Sequence, residues 1–273
     1  MALPRSYLFV PADRPERFAK ALASGADAVI LDLEDAVAPA AKEGARAALA
    51  GWLAGLEEAA PHLWIRINPS ATAWHDADLA LTARSAIGGV VLPKTEQASA
   101  LRDVAARLAP GQRLLPLIES AAGLAGMREL ARVERVERLL FGSIDLQLDL
   151  GMQCDEQESE LAHWRAELVL ASRLAGIAPP VDGVTVALDD EAALEGAVAR
   201  ARRMGFGAKL CIHPRQVAGV NRGFLPGEKE LGWASRVLAA VAASGGAAVA
   251  VDGKMVDAPV IALAQRLLQE AQR

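Results

Sequence analysis

Short apolar runs recur along the chain, each closed by polar or charged residues and separated from the next by a helical pattern. They are Tyr7–Val10, Asp27–Leu33, Leu63–Ile67, Gly89–Leu92, Leu114–Ile118, Leu139–Phe141, Val181–Val186 and Gly207–Ile212. Strand-length runs alternating with helices predict parallel strands joined by crossover helices. Eight of them predict a (β/α)8 TIM barrel, an α/β fold whose chemistry sits at the C-terminal strand ends. A doubly wound open sheet is the other topology, but no G-x-G-x-x-G follows the first run.

Beyond the eighth run the chain continues with a helix over Glu228–Ala243, a Ser-Gly-Gly break, and AAVAVDGKMVDAPVIALAQRLLQEA. That reads as a small strand or turn followed by an amphipathic helix, more than a barrel needs. The expected division is a catalytic barrel over residues 1–225 and a C-terminal helical extension over 226–273. The apolar positions Val256, Val260, Ile261, Leu263, Leu267 and Leu268 call for a covering surface, either a neighbouring chain or the chain's own barrel. The first choice implies a homo-oligomer, a trimer or a hexamer.

Composition narrows the class. The 273 residues are 52% hydrophobic, ample for a large core, and 29 basic against 34 acidic residues give a net charge of −5. Such a balance argues against a polyanion-binding surface, and 4% aromatics with one tyrosine argue against stacking on single-stranded nucleic acid. Cys154 and Cys211 have no metal-ligand spacing, which fits a reducing compartment. The opening MALPRSYLFVPADRPER has too short an apolar run for a secretory leader, and no window approaches a membrane span. A cytoplasmic enzyme is the expectation.

The candidate chemistry begins with two carboxylates. LLPLIES delivers Glu119 and LLFGSIDLQLDLG delivers Asp145 just beyond consecutive strands, which would lie ~5 Å apart if paired. Two carboxylates plus waters and an anionic substrate make a usual Mg²⁺ site; capping of the following helix is the alternative use for either residue. LWIRI delivers Arg66, a guanidinium able to hold a carboxylate bidentately or to pair with Glu34 or Asp35 across the mouth. Arg14, Arg17 and Lys20 follow the first strand three residues apart and form either a phosphate-binding or a solvated helix face. His213 is the one histidine at a strand end; His62, His75 and His163 follow no pattern and are expected at the surface.

The chain resembles the citrate lyase β-subunit-like proteins of the HpcH/HpaI aldolase/citrate lyase family. The marks are RSYLFVPADRPERF, VILDLEDAV with Lys42 and Arg46, RIN at Arg66–Asn68, LPKTE, LIES, FGSIDLQLDLG, GFGAKLCIHPRQV and DGKMVDAP. They run in this order from Arg5 to about Gln269. One departure is Ile144, where many relatives carry an acid in FG-x-E-D.

The resemblance implies a Mg²⁺-dependent carbon–carbon lyase. It would cleave or form a 3-hydroxy-acyl thioester such as citryl-, malyl- or citramalyl-CoA, giving an oxo acid and an acyl thioester. It assigns the metal to Glu119 and Asp145, and substrate to Arg66 and Glu119. It further implies that His213 is a wall of the thioester pocket rather than the general base its strand-end position suggests. With a thioester in view, Arg14 and Arg17 are placed to neutralise coenzyme A phosphates, and Glu34 and Asp35 to stand behind the metal and Arg66. Asp257, in G-x-M-V-D-x-P, would be the acid/base supplied by a neighbouring subunit, although a helix N-cap before Pro259 is the plain use of such an aspartate. The competing enzyme reading is a class II pyruvate-type aldolase acting on free oxo acids. A non-catalytic thioester-binding scaffold is a third.

Overall fold

A computed structural model describes residues 3–56, 58–83, 85–244 and 249–272. Its described residues divide into two compact units, one over 3–221 and one beginning at 222. The division falls at 221/222, because the helix after the eighth strand has its first turns in the barrel unit.

The first unit is a closed parallel barrel of β1 (Ser6–Pro11), β2 (Ala28–Asp32), β3 (Ala60–Arg66), β4 (Ile87–Leu92), β5 (Arg113–Ile118), β6 (Leu140–Phe141), β7 (Val181–Asp182) and β8 (Ala208–Cys211). Closure pairs Tyr7 with Leu210 and Leu8 with Cys211. The helices are α1 (Phe18–Leu22), α2 (Lys42–Ala54), α3 (His75–Thr82), α4 (Ala98–Arg107), α5 (Ala121–Leu130), α6 (Ser143–Leu150), α7 (Ala162–Ala175), α8 (Glu191–Met204) and α9 (Pro214–Gly223). All eight expected strands form, and the closed sheet disposes of the doubly wound alternative.

One apolar cluster takes alternate residues from every strand: Tyr7 and Phe9, Ala28 and Ile30, Trp64, Val91, Leu115 and Leu117, Leu140, Val181, Ala208 and Leu210. Side chains alternate across a strand with period two, so these residues line the barrel interior. Counting on by twos toward the C-terminal ends gives Asp32 after Ile30, Arg66 after Trp64 and Glu119 after Leu117. The barrel's own pleat therefore sets these three polar side chains above its apolar filling.

The strand β6 stops at Phe141 as expected; Gly142 turns the chain and Ser143–Leu150 is helical, so Asp145 lies in the first turn of α6. Helix α7 starts at Ala162, preceded by a 3-10 turn at Ser159–Leu161 whose cap, Glu158, has φ +50°. Glu158 adopts this conformation while its carboxylate holds the Arg165 and Arg200 guanidiniums. His75 departs from expectation: it is buried, its Nδ1 2.8 Å from the Asn68 carbonyl. His62 and His163 are exposed.

The second unit holds α10 (Glu228–Ala243), a hairpin of β9 (Val249–Val251) and β10 (Lys254–Val256), and α11 (Ala258–Ala271). Of the Ser-Gly-Gly break, Gly245 and Gly246 lie outside the described residues. The hairpin turns on Asp252 (φ +52°) and Gly253 (φ +75°), positive at both central positions as a tight two-residue hairpin requires. Val256, Val260, Leu267 and Leu268 of the expected stripe join a core with Ala234, Val237 and Ala264. Much of that stripe is thus covered by α10 inside the unit, while Met255 and Leu263 stay exposed at 73% and 40%.

Candidate active site

The register of the sheet makes Asp32 and Arg66 direct Cα partners on β2 and β3. Their side chains form a bidentate pair, Arg66 Nε donating to Asp32 Oδ1 at 2.7 Å and Nη2 to Oδ2 at 2.5 Å. Arg66 Nη1 lies 3.0 Å from Glu34 Oε2, and the guanidinium stacks 4.7 Å above the Phe9 ring. Burial works against the guanidinium charge, but Asp32 and then Glu34 outweigh it, so its pKa stands above the ordinary value. Two of the five N–H donors are hydrogen-bonded to Asp32, and Nη1 faces Glu34 as an ion pair.

Asp32 escapes a reading that looks only beyond the apolar run, because it closes AVILD and belongs to the strand. Its signal is parity with Ala28 and Ile30. Its Oδ1 also accepts from Glu34 N at 2.9 Å, shaping the turn that presents Glu34. Lys42 supports the same turn from below, its Nζ donating to the Leu33 and Glu34 carbonyls at 2.9 and 2.8 Å. Asn68 Nδ2 adds a bond to the Leu33 carbonyl and another to Asp78, which pairs with Arg46 at 2.6 Å. The Lys42/Arg46 spacing on α2 is therefore a brace for the loops after β2 and β3.

Glu119 follows β5 and is 4% exposed. The cap of α5 is Ser120, whose Oγ accepts from Gly123 N at 3.1 Å, so Glu119 is free of that duty. Its Oε1 accepts from the backbone N–H of Lys94 at 2.6 Å; among the described residues Oε2 accepts no hydrogen bond. Gly142 makes room for it, since a Cβ there would stand 2.7 Å from Oε2. Burial pushes the Glu119 carboxyl up to about 8, and the Asp145 charge adds to the rise. Asp145 is half-buried on α6 and has no hydrogen-bond or ion-pair partner among the described residues. Ile144 beside it is 44% exposed.

Asp35 does not touch Arg66. It lies 3.5 Å from Lys94 Nζ, which donates to Glu34 Oε1 at 2.5 Å. The mouth thus gathers Asp32, Glu34, Asp35, Glu119 and Asp145 against Arg66 and Lys94, an excess of negative charge that suits a cation. Among the described residues no third His, Cys, Asp or Glu completes a ligand cluster. A Glu119–Asp145 pair with unbonded oxygens fits a hard divalent ion whose other positions go to water and substrate.

Beside the mouth, a cavity of about 370 Å³ is walled by Leu8, Phe9, Val10, Pro11, Ala21, Ile212 and Pro214, with Arg17, Lys20 and His213 as its polar members. Phe9 belongs both to this cavity and to the seat of Arg66. Arg14 is not part of the lining; it lies 3.8 Å from Asp13. His213 Nδ1 accepts from Arg215 N at 3.1 Å, which ties this ring nitrogen to its own loop. Asp257 caps α11 in the second unit, its Oδ1 accepting from Val260 N at 3.1 Å, with Pro259 in the first turn.

The fold is a (β/α)8 barrel with its polar residues gathered at the C-terminal mouth, and the family and relatives mark the chain as a lyase-type enzyme. The chain belongs to the HpcH/HpaI aldolase/citrate lyase family, which it matches over residues 5–214. It is 37% identical to a citrate lyase subunit beta-like protein of Deinococcus radiodurans, covering 98% of this chain and 97% of that protein. It is 34% identical to a (3S)-malyl-CoA thioesterase of Cereibacter sphaeroides, over 98% of this chain and 94% of that protein. Protein CitE from Mycobacterium tuberculosis, solved with magnesium, acetoacetate and coenzyme A, superposes with a TM-score of 0.87 at 36% identity. That similarity covers 100% of this chain and 99% of CitE.

Proposed function

We propose that this protein is a Mg²⁺-dependent lyase that cleaves, or in reverse forms, the carbon–carbon bond of a 3-hydroxy-acyl-CoA such as citryl-, malyl- or citramalyl-CoA. The observation that carries the reading is the buried Glu119 carboxyl, pushed up to about 8 beside Asp145 and facing the clamped Arg66. Magnesium with coenzyme A in CitE supports it.

Glu119 and Asp145 would hold the ion. When bound, Mg²⁺ supplies Lewis acidity that lowers the pKa of a substrate hydroxyl and neutralises the adjoining carboxylate. Arg66 offers the N–H groups that it does not give to Asp32 to a substrate oxygen on which charge develops, and its pairing with Asp32 and Glu34 means it need not reorganise. The apolar cavity takes the thioester arm, with Arg17 and Lys20 toward phosphates and His213 as part of its wall; Arg14 lies outside that wall. This cavity favours a thioester over the free-oxo-acid aldolase, which has no use for it.

Carbon–carbon cleavage leaves an oxo acid and a thioester enolate. A proton must then reach the enolate carbon, and we assign that delivery to Asp257 of a neighbouring subunit in a homotrimer or hexamer. N-capping and proton transfer are compatible, since a cap uses one carboxylate oxygen. A cytoplasmic location accompanies this reading; among the described residues no helix is long and apolar enough to cross a membrane.

The test is calorimetry of Mg²⁺ binding to the wild type, Glu119→Gln and Asp145→Asn. Each variant should remain folded and lose the binding isotherm. Wild-type binding retained in both would overturn the metal assignment.

A further inference from the structure

Lys94 follows β4 with φ +48°, a left-handed conformation that non-glycine residues rarely adopt and that costs about 1 kcal/mol or more. Two bonds leave this one residue in different directions. Its backbone N–H donates to Glu119 Oε1 at 2.6 Å, and its Nζ donates to Glu34 Oε1 at 2.5 Å, with Asp35 Oδ2 at 3.5 Å. Glu34 in turn faces Arg66 through its other oxygen. The left-handed turn brings the N–H to Glu119, while the ammonium of the same residue reaches Glu34. Thr95 Oγ1 donates to the Leu92 carbonyl at 2.7 Å and its N–H to the Leu117 carbonyl at 3.3 Å, so the turn is closed on its far side too.

We propose that Lys94 is a positioning residue that couples the two halves of the site. Its ammonium, seated on Glu34 beside Arg66, holds the turn that fixes Glu119 by a backbone hydrogen bond. The ε-ammonium thus acts on the metal-side carboxylate through the main chain, 25 residues away in sequence. Its bearing on metal affinity rests on the proposed Mg²⁺ site; its bearing on Glu119 does not.

The experiment separates the two. Lys94→Met removes the ammonium and leaves an L side chain in a left-handed turn, while Lys94→Gly removes the ammonium but adopts that turn without cost. Amide hydrogen exchange of residue 94, followed by NMR on the metal-free protein, reads the bond to Glu119 directly. Protection at residue 94 should fall at least about tenfold in Lys94→Met and be substantially kept in Lys94→Gly. Mg²⁺ affinity should follow the same order, with Lys94→Met weaker by about 10–100-fold, the usual effect of losing a group that orients a metal ligand. Wild-type protection in Lys94→Met would overturn the proposal whether or not Mg²⁺ binds, and so would equal loss in the Met and Gly variants. The expected exchange pattern in a wild type that binds no Mg²⁺ would instead overturn the metal reading and leave Lys94 in its role.

Discussion

Asp32→Asn is the sharpest perturbation of the barrel mouth. The carboxylate is 1% exposed and makes two charge-assisted bonds to a guanidinium whose side chain is 12% exposed. Removing one partner of a buried ion pair leaves the other charge uncompensated and costs about 3–5 kcal/mol. Asparagine keeps one oxygen acceptor, and Glu34 still faces Arg66 Nη1, so the lower end applies, ~3 kcal/mol. For a barrel unit of this size that is a fall of roughly 6–12 °C in Tm by calorimetry or circular dichroism. Arg66→Met in the same chain removes the stranded charge, so the double variant should be less destabilised than the sum of the singles by ~1–3 kcal/mol. A Tm within ~2 °C of wild type, or a strictly additive cycle, would show that Arg66 does not depend on Asp32.

The raised pKa of Glu119 gives a pH signature in the metal-free protein. Between its unfolded value near 4.5 and its folded value of about 8, the native state holds a proton that the unfolded state has released, so stability declines as pH rises through this window. Urea midpoints between pH 5 and 8 should show that decline, and Glu119→Gln should flatten it; an unchanged slope in the variant would remove Glu119 as its source. The shared-site proposal is tested by mixing Asp257→Ala with Arg66→Ala chains. Asp257→Ala should lose roughly 10²–10⁴-fold in turnover, Arg66→Ala should lose substrate binding as well as rate, and subunit exchange should restore part of the activity. A mixture as inactive as its parents despite confirmed exchange would place Asp257 outside the shared site.

The barrel was legible because parallel strands buried on both faces read as apolar runs, and eight such runs admit few topologies. Glu119 was legible because it follows an apolar run, and Arg66 because it is the one charge inside LWIRI. Asp32 ends β2 just as Arg66 ends β3, but Glu34 and Asp35 beyond it drew the reading past it, and only the two-residue alternation from Ala28 through Ile30 marks it. Asp145 was legible as lying beyond the strand that stops before Gly142, but the short helix Ser143–Leu150 that carries it was not. The burial of His75 depends on the Asn68 carbonyl after β3, and the left-handed turn of Lys94 on Glu119 and Glu34, each from a different strand. None of these leaves a local trace. The C-terminal stripe showed the opposite limit: its apolarity was visible, but α10 as a covering partner was not.

The central claim is carbon–carbon cleavage dependent on the Glu119/Asp145 ion. Its most direct test is to quantify oxo acid and free thiol in the same reaction, with malyl-, citramalyl- and citryl-CoA, with Mg²⁺ and with chelator. One of these substrates should yield oxo acid and acyl-CoA in equal amounts without free thiol. That yield should vanish with chelator and in Glu119→Gln. Free thiol released without oxo acid would mean thioester hydrolysis instead, and turnover undiminished by chelator would contradict the metal-dependent mechanism outright.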